Sequence, residues 1–211
     1  MATGADTVAG MRSLTSEELG SAAQQERRRR ILDATIALAS AGGFDAVQMR
    51  TVAEHADVAL GTLYRYFPSK IHLLVSALGR EFEQAVESLE RKPVPGDTAA
   101  DRVTYVLERT TRALQRDPNL TEALTRAFMF ADASVAGEIR VVATHVSRML
   151  MRAMHDPAVP TDRIEPSEDD VAIAKVIGDV WLASLVQWVT GRASAEDVAK
   201  SMEVAARLLL R

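Results

Sequence analysis

Apolar residues recur at three- and four-residue spacings along almost the whole chain, and no stretch alternates apolar with polar as a half-buried strand does. The pattern predicts an all-α protein of nine main helices. A short tenth is expected at the amino end, where Thr15-Ser16-Glu17-Glu18 reads as a capping box and Gly20-Ser21 as an interruption. The first firm helix spans about residues 23–41, with Ile31, Ala34, Leu38 and Ala41 as its stripe. Gly42-Gly43 stops it, and Phe44 folds back as a core anchor. Residues 48–70, QMRTVAEHADVALGTLYRYFPSK, then read as two short helices joined by a tight turn. In the first, Val52, Ala53 and Ala56 face inward and Arg50, Glu54 and His55 outward; Asp57-Val58 makes the turn, with Val58 as its plug. Small residues at Ala53, Ala56 and Gly61 let the two helices cross closely, as a helix-turn-helix requires. Pro68-Ser69 closes this unit and opens a helix over residues 69–90, with Leu73, Leu74, Ala77 and Leu78 inward.

The run 92–97, KPVPGD, is the clearest break in the chain. It divides a flexible arm (1–22), a helix-turn-helix domain (23–70) and a linking helix (71–92) from a larger domain (93–211). Helices are expected there over about 99–116, 119–130, 134–154, 168–190 and 195–210. The connection 156–166 holds three prolines. Ser167 and Ser194 each precede a run of acids that resembles a capping box, although aspartate reaches back less well than glutamate.

Composition removes several chemistries. The 211 residues are 47% hydrophobic and contain no cysteine, so there is no disulfide, thiolate metal site or cysteine nucleophile. The net charge is −4, split as −1 over residues 1–92 and −3 over 93–211, so any binding to nucleic acid depends on where individual cations stand. The four consecutive arginines 27–30 sweep through ~300° of a helix and cannot all face one duplex. The amino end lacks a secretory pattern, and no segment is expected to reach the ~20 apolar residues of a membrane span, which suggests a cytoplasmic protein with no membrane partner. No HExxH or glycine-rich phosphate loop is present, Glu168-Asp169-Asp170 splay around a helix, and His145 and His155 fall on different faces. Neither a catalytic residue nor a metal or cofactor is expected.

Residues 31–74 resemble the DNA-binding domain of the TetR family of bacterial transcriptional regulators. The resemblance rests on the apolar first helix ending AGGF, on VAEHADV, and above all on GTLYRYFPSK. It implies a homodimer that binds a palindromic double-stranded operator, usually represses, and is released by a small ligand in the larger domain. By the same resemblance Thr62, Tyr64 and Tyr66 match positions on the sugar-phosphate backbone, and Lys70 matches a phosphate-binding lysine. Ala59, Leu60 and Gly61 occupy the leading turn of the recognition helix, and Arg50 is an additional candidate contact, with Arg27 and Arg28 from the arginine run. Many relatives have serine at Ala59 and glycine at Asp57, so here the recognition helix lacks a side-chain cap. Over its full length the chain is similar to repressors of sterol catabolism within that family, which implies a sterol-derived effector carried as a coenzyme A thioester. The residues themselves support only a large, mostly apolar guest. An activator would use the same DNA-binding residues; an enzyme or a helical interaction module would need neither them nor a duplex.

The candidate lining of that guest site is Leu107, Thr111 and Leu114, then Leu124, Phe128 and Met129, then Val146, Met149 and Leu150, and finally Trp181 and Leu185. The same stripes also build an ordinary bundle core. Thr111, Thr144 and Arg148 are candidate polar orienters. The last two helices form a hairpin around Thr190-Gly191-Arg192, and two copies would make a four-helix interface across a two-fold axis. Val180, Trp188, Val198, Met202, Ala205 and Leu209 are the residues assigned to it.

Overall fold

The structure, a computed structural model, describes residues 16–155, 159 and 163–210. Residues 1–15 of the expected arm and part of the proline-rich connection lie outside them. The described residues form nine α-helices: α1 (Ser16–Ala46), α2 (Met49–His55), α3 (Leu60–Tyr66), α4 (Lys70–Glu90), α5 (Ala99–Gln115), α6 (Pro118–Met129), α7 (Ala136–Met154), α8 (Glu168–Val189) and α9 (Ala195–Leu209). A 3-10 turn at Ala133–Val135 leads into α7. Gly20-Ser21 does not interrupt α1, so among the described residues no separate helix precedes it and residues 16–22 are helical. A single glycine in a helix costs only ~1 kcal/mol, which the rest of a long helix outweighs.

Gly42-Gly43 does break α1. Gly42 at φ −157°, ψ 25° and Gly43 at φ 69°, ψ −161° both leave the helical region, so the helix turns over before a last short segment. The positive φ at Gly43 favours glycine, and a β-carbon there would also crowd the Glu122 carboxylate at 3.0 Å. At the turn between α2 and α3, Asp57 takes φ 50°, the left-handed conformation that aspartate tolerates better than most residues.

Ile31, Leu32, Val52, Leu63, Phe67, Leu73 and Leu74 form the core of the amino-terminal headpiece, all at 2% exposure or less. α4 leaves this core and runs into the body, where it packs on α6 and α7. α6 lies between the halves, against α1 and α4 on one side and α5 and α8 on the other.

Side-chain caps set the starts of the body helices. Thr98, Ser167 and Ser194 form reciprocal capping boxes with Asp101, Asp170 and Asp197, so aspartate closes the box here. Hydrogen bonds from those cap residues hold all three carboxyls below the usual aspartate range. Asp117 caps α6, with Pro118 in its first turn. Buried Arg102 closes the far end of α7, donating to the carbonyls of Ala153 at 2.9 Å and Met154 at 3.2 Å. A cation there also meets the negative end of the helix dipole.

α8 departs from the sequence expectation. Within its 22 residues an 18-residue window has a mean hydropathy of 1.4, apolar enough to cross a membrane by length and composition, yet only 28% of that window is buried within one chain. Acids crowd its first turn, so apolar composition was masked at that end. The open apolar surface of α8 therefore needs a cover.

Candidate functional site

The exposed face of the headpiece is built by α3. Leu63 is its buried keel, while Leu60, Tyr64 and Arg65 point outward and Thr62 is half-buried. Gly61 is exposed, and a β-carbon there would meet nothing within 4 Å, so the glycine is unnecessary for the fold and leaves room for something to approach. As expected, Ala59 makes no side-chain cap. Arg65 donates to the Thr62 hydroxyl at 3.1 Å, which ties together two groups suited to phosphate. Arg65 was not among the sequence candidates, although its place one turn after Gly61 on the exposed face marked it.

The arginine run separates by role. Arg29 is engaged by Glu26 at 2.6 Å and Asp33 at 2.8 Å. Arg30 lies 3.8 Å from Asp57. Arg27 reaches the Tyr66 hydroxyl at 3.4 Å, and Arg28 stands 5.6 Å from the Phe67 ring centroid. Arg27 and Arg28, the two candidates from the run, are thus the two turned toward α3. Arg50 is highly exposed and loosely held by Glu54 at 3.3 Å. Lys70 starts α4 with its ammonium 3.8 Å from the Phe44 ring centroid, and burial pushes its pKa down.

The body holds a partly open cavity of about 390 Å³ among α4, α5, α6, α7 and α8. Phe82, Leu114, Leu124, Phe128, Val146, Trp181 and Leu185 make its apolar wall, with Thr121, Thr125 and Ser147 as polar points. Trp181 is fixed from behind: its Nε1 donates to Thr111 at 2.9 Å, and its ring meets Phe82 edge-on at 5.7 Å. Lys175 and Asp179, paired at 2.6 Å, lie on the same lining.

The other face of α6 holds the headpiece. Glu122 accepts from the Phe44 backbone N–H at 3.0 Å, and Asn119 donates to the Ser40 carbonyl at 3.0 Å. Arg126 pairs with Asp45 at 3.5 Å and stacks 4.4 Å from the Phe44 ring centroid. One helix therefore presents Thr121, Leu124, Thr125 and Phe128 to the cavity, and Glu122 and Arg126 to the turn after Gly43.

Comparison with known proteins assigns these two halves. Residues 31–77 match the family described as bacterial regulatory proteins, tetR family, and residues 96–209 match the tetracyclin repressor-like C-terminal domain. The chain belongs to the TetR family. It is accordingly a DNA-binding regulator and not an enzyme. It is 57% identical over 197 residues to the HTH-type transcriptional repressor KstR of Mycolicibacterium smegmatis, covering 93% of each chain. Among solved structures, a TetR transcriptional regulator from Rhodococcus sp. RHA1 superposes with a TM-score of 0.79 at 30% identity, over 89% of this chain and 97% of that one. Thermus thermophilus FadR, a TetR-family repressor solved with lauroyl-CoA, shares the fold with a TM-score of 0.65 at 19% identity, over 87% of this chain and 93% of its own.

On this TetR-family frame several expected body residues fall elsewhere. Leu107, Met149 and Leu150 are fully buried in the bundle core and do not line the cavity. Met129 is half exposed at the end of α6. Thr111 spends its hydroxyl on Trp181. Val198 and Met202 are buried inside their own protomer, where α9 packs on α5, and a residue already covered gains nothing from a partner. Val180, Trp188, Ala205 and Leu209 stay half-buried on α8 and α9, and Val176, Val204 and Leu208 on the same hairpin, which were not sequence candidates, are exposed. Helical spacing identifies a stripe but not which of two buried neighbours it meets.

Proposed function

We propose that this protein is a cytoplasmic, ligand-responsive repressor of sterol or lipid catabolism genes, acting as a homodimer on a palindromic operator. Its α3 enters the major groove, with Ala59, Leu60 and Gly61 against the bases. Thr62, Tyr64, Tyr66 and Lys70 brace on phosphates, joined by Arg50, Arg27 and Arg28. The open face of the α8–α9 hairpin, with Val180, Trp188, Ala205 and Leu209, is covered by the second copy.

One observation carries the regulatory part: the apolar cavity is walled by α4 and α6, the two helices that also hold the headpiece. Its volume of about 390 Å³ suits a fused-ring or long acyl body. Burial of that body supplies affinity at ~0.8 kcal/mol per methylene. The lauroyl-CoA bound to Thermus thermophilus FadR, together with the likeness to KstR, supports a sterol-derived acyl thioester as the effector. Two recognition helices read successive grooves only when held about 34–36 Å apart or a further repeat. An effector that binds better to a differently spaced dimer lowers operator affinity by that preference.

The test is a titration of operator binding against the coenzyme A thioester of a sterol side-chain acid. Progressive release at fixed salt supports the reading. Tight operator binding that no such thioester or long-chain acyl-CoA disturbs would overturn it.

A further inference from the structure

One imidazole ring ties the start of α4 to the body. Ser69 caps the helix, but its hydroxyl accepts the His72 backbone N–H only at 3.4 Å. The half-buried ring of His72 adds what that long bond lacks. Its Nδ1 shares a 2.9 Å hydrogen bond with the Ser69 hydroxyl. Its Nε2 lies 3.1 Å from the carbonyl oxygen of Ser134, 62 residues further along the chain. A carbonyl only accepts, so Nε2 carries a proton and donates to it. The far anchor is stiff. Asp132 caps the 3-10 turn, accepting from the Ser134 backbone N–H at 2.8 Å and from its hydroxyl at 2.6 Å. Val135, the last residue of that turn, is 2% exposed against the core. Lys70 stands between Ser69 and His72, so its backbone is held from both sides while its ammonium rests on the Phe44 ring.

We propose that His72 is a positioning residue for the operator contact of Lys70: its ring clasps the capped start of α4 to the turn ahead of α7 and fixes the backbone from which the lysine reaches a phosphate. This rests on the reading of Lys70 as a phosphate contact. A lysine is a point charge on a flexible four-carbon stem, so its grip depends on where its α-carbon is held. Helix ends fray, and a first turn with one long cap bond is where α4 would give way first. The clasp replaces that looseness with a bond to the body. No acid stands in the first turn of α4, so the positive end of the helix stays open to an anion beside Lys70. A device of this kind adds grip evenly on every sequence, because phosphates carry no base identity.

Gel shifts of the full-length protein decide this, at several salt concentrations, on a palindromic duplex that the parent selects from genomic fragments. His72→Ala should bind roughly three- to tenfold more weakly and lower the salt slope by up to about one phosphate contact. The double variant His72→Ala, Lys70→Ala should bind about as Lys70→Ala alone does, because the ring acts through the lysine. Losses that multiply in the double variant, or an unchanged salt slope in His72→Ala, overturn the proposal. Two amide variants separate positioning from plain capping. The glutamine nitrogen falls near the place of Nε2 and can still donate to Ser134, whereas asparagine falls near Nδ1 and serves only Ser69. His72→Gln should therefore stay within about twofold of the parent, and His72→Asn should bind as weakly as His72→Ala. The reverse order leaves His72 a helix cap and overturns its tie to the body. A loss in Lys70→Ala with none in His72→Ala overturns this proposal alone. Full binding by Lys70→Ala overturns the phosphate role of Lys70 and this proposal with it.

Discussion

The headpiece and the body solve opposite packing problems with the same kind of helix. In the headpiece Ile31, Leu63 and Phe67 are packed to 2% exposure or less around two seven-residue helices, and its exposed face carries the polar groups. In the body, α4 through α8 stop short of filling the space between them and leave about 390 Å³. A densely packed unit moves as a piece, whereas a hollow bundle has more than one way to close. The difference places deformability in the body and rigidity where DNA geometry must be kept. α6 belongs to both, since one face looks into the cavity and the other holds Phe44 through Glu122.

The largest effect comes from truncating matched leucines in the two regions. Leu63→Ala should cost the headpiece about 3–5 kcal/mol, towards the top of the buried-leucine range, because no neighbour can collapse into the gap. Leu185→Ala on the cavity wall should cost less, about 2–3 kcal/mol, since that side chain already lacks partners on one side. Denaturant melts of both variants check this, and equal losses would remove the contrast.

Lys70→Ala should weaken operator binding about tenfold on every sequence and flatten the salt dependence by about one phosphate contact. Competition gel shifts at several salt concentrations measure both quantities. A sequence-dependent loss would instead give Lys70 a role in base reading.

Gly61→Ala separates folding from binding. Nothing stands within 4 Å of the new β-carbon, so the variant should gain about 0.5–1 kcal/mol of stability from a better helix former. Operator affinity should nevertheless fall at least tenfold (~1.4 kcal/mol), if the duplex approaches the backbone there. A variant that is more stable and still binds fully would move the DNA backbone away from α3.

The smallest expected effect concerns Glu81 on α4. Burial holds its carboxyl above the usual glutamate range, against the opposing pull of Arg80. The folded chain therefore keeps this proton to higher pH than the unfolded chain does. Stability declines as pH rises from the unfolded value through the folded one, and the deficit is complete above it. Glu81→Gln should melt higher than the parent at pH 7, with the gap closing below the ordinary carboxylate range. A gap that widens in acid would reverse the assigned sign.

The headpiece was legible because local rules dictate it. Gly42-Gly43 could only stop a helix, Ser69 could cap the next, and GTLYRYFPSK runs from one short helix through its buried stop at Phe67 into the start of α4. The body was legible as helices but not as a site. Leu107 and Met149 carry the same periodic signal as Leu124 and Val146, yet the first pair is core and the second is wall. Val198 and Met202 look like an outer stripe until α9 is seen packed on α5. The junction was beyond reach for a different reason. The hydrogen bond from Phe44 to Glu122 joins residues 78 apart, and nothing in the local pattern of either announces the other.

That junction is where the account is tested most directly. In the double variant Glu122→Gln, Arg126→Ala, operator affinity is measured with and without a saturating sterol-derived acyl thioester, alongside thioester binding itself. The account predicts that the thioester binds as it does to the parent, because neither residue lines the cavity, but that it no longer lowers operator affinity. Release equal to that of the parent would contradict it, since the signal would then pass from cavity to headpiece without the α6 contact.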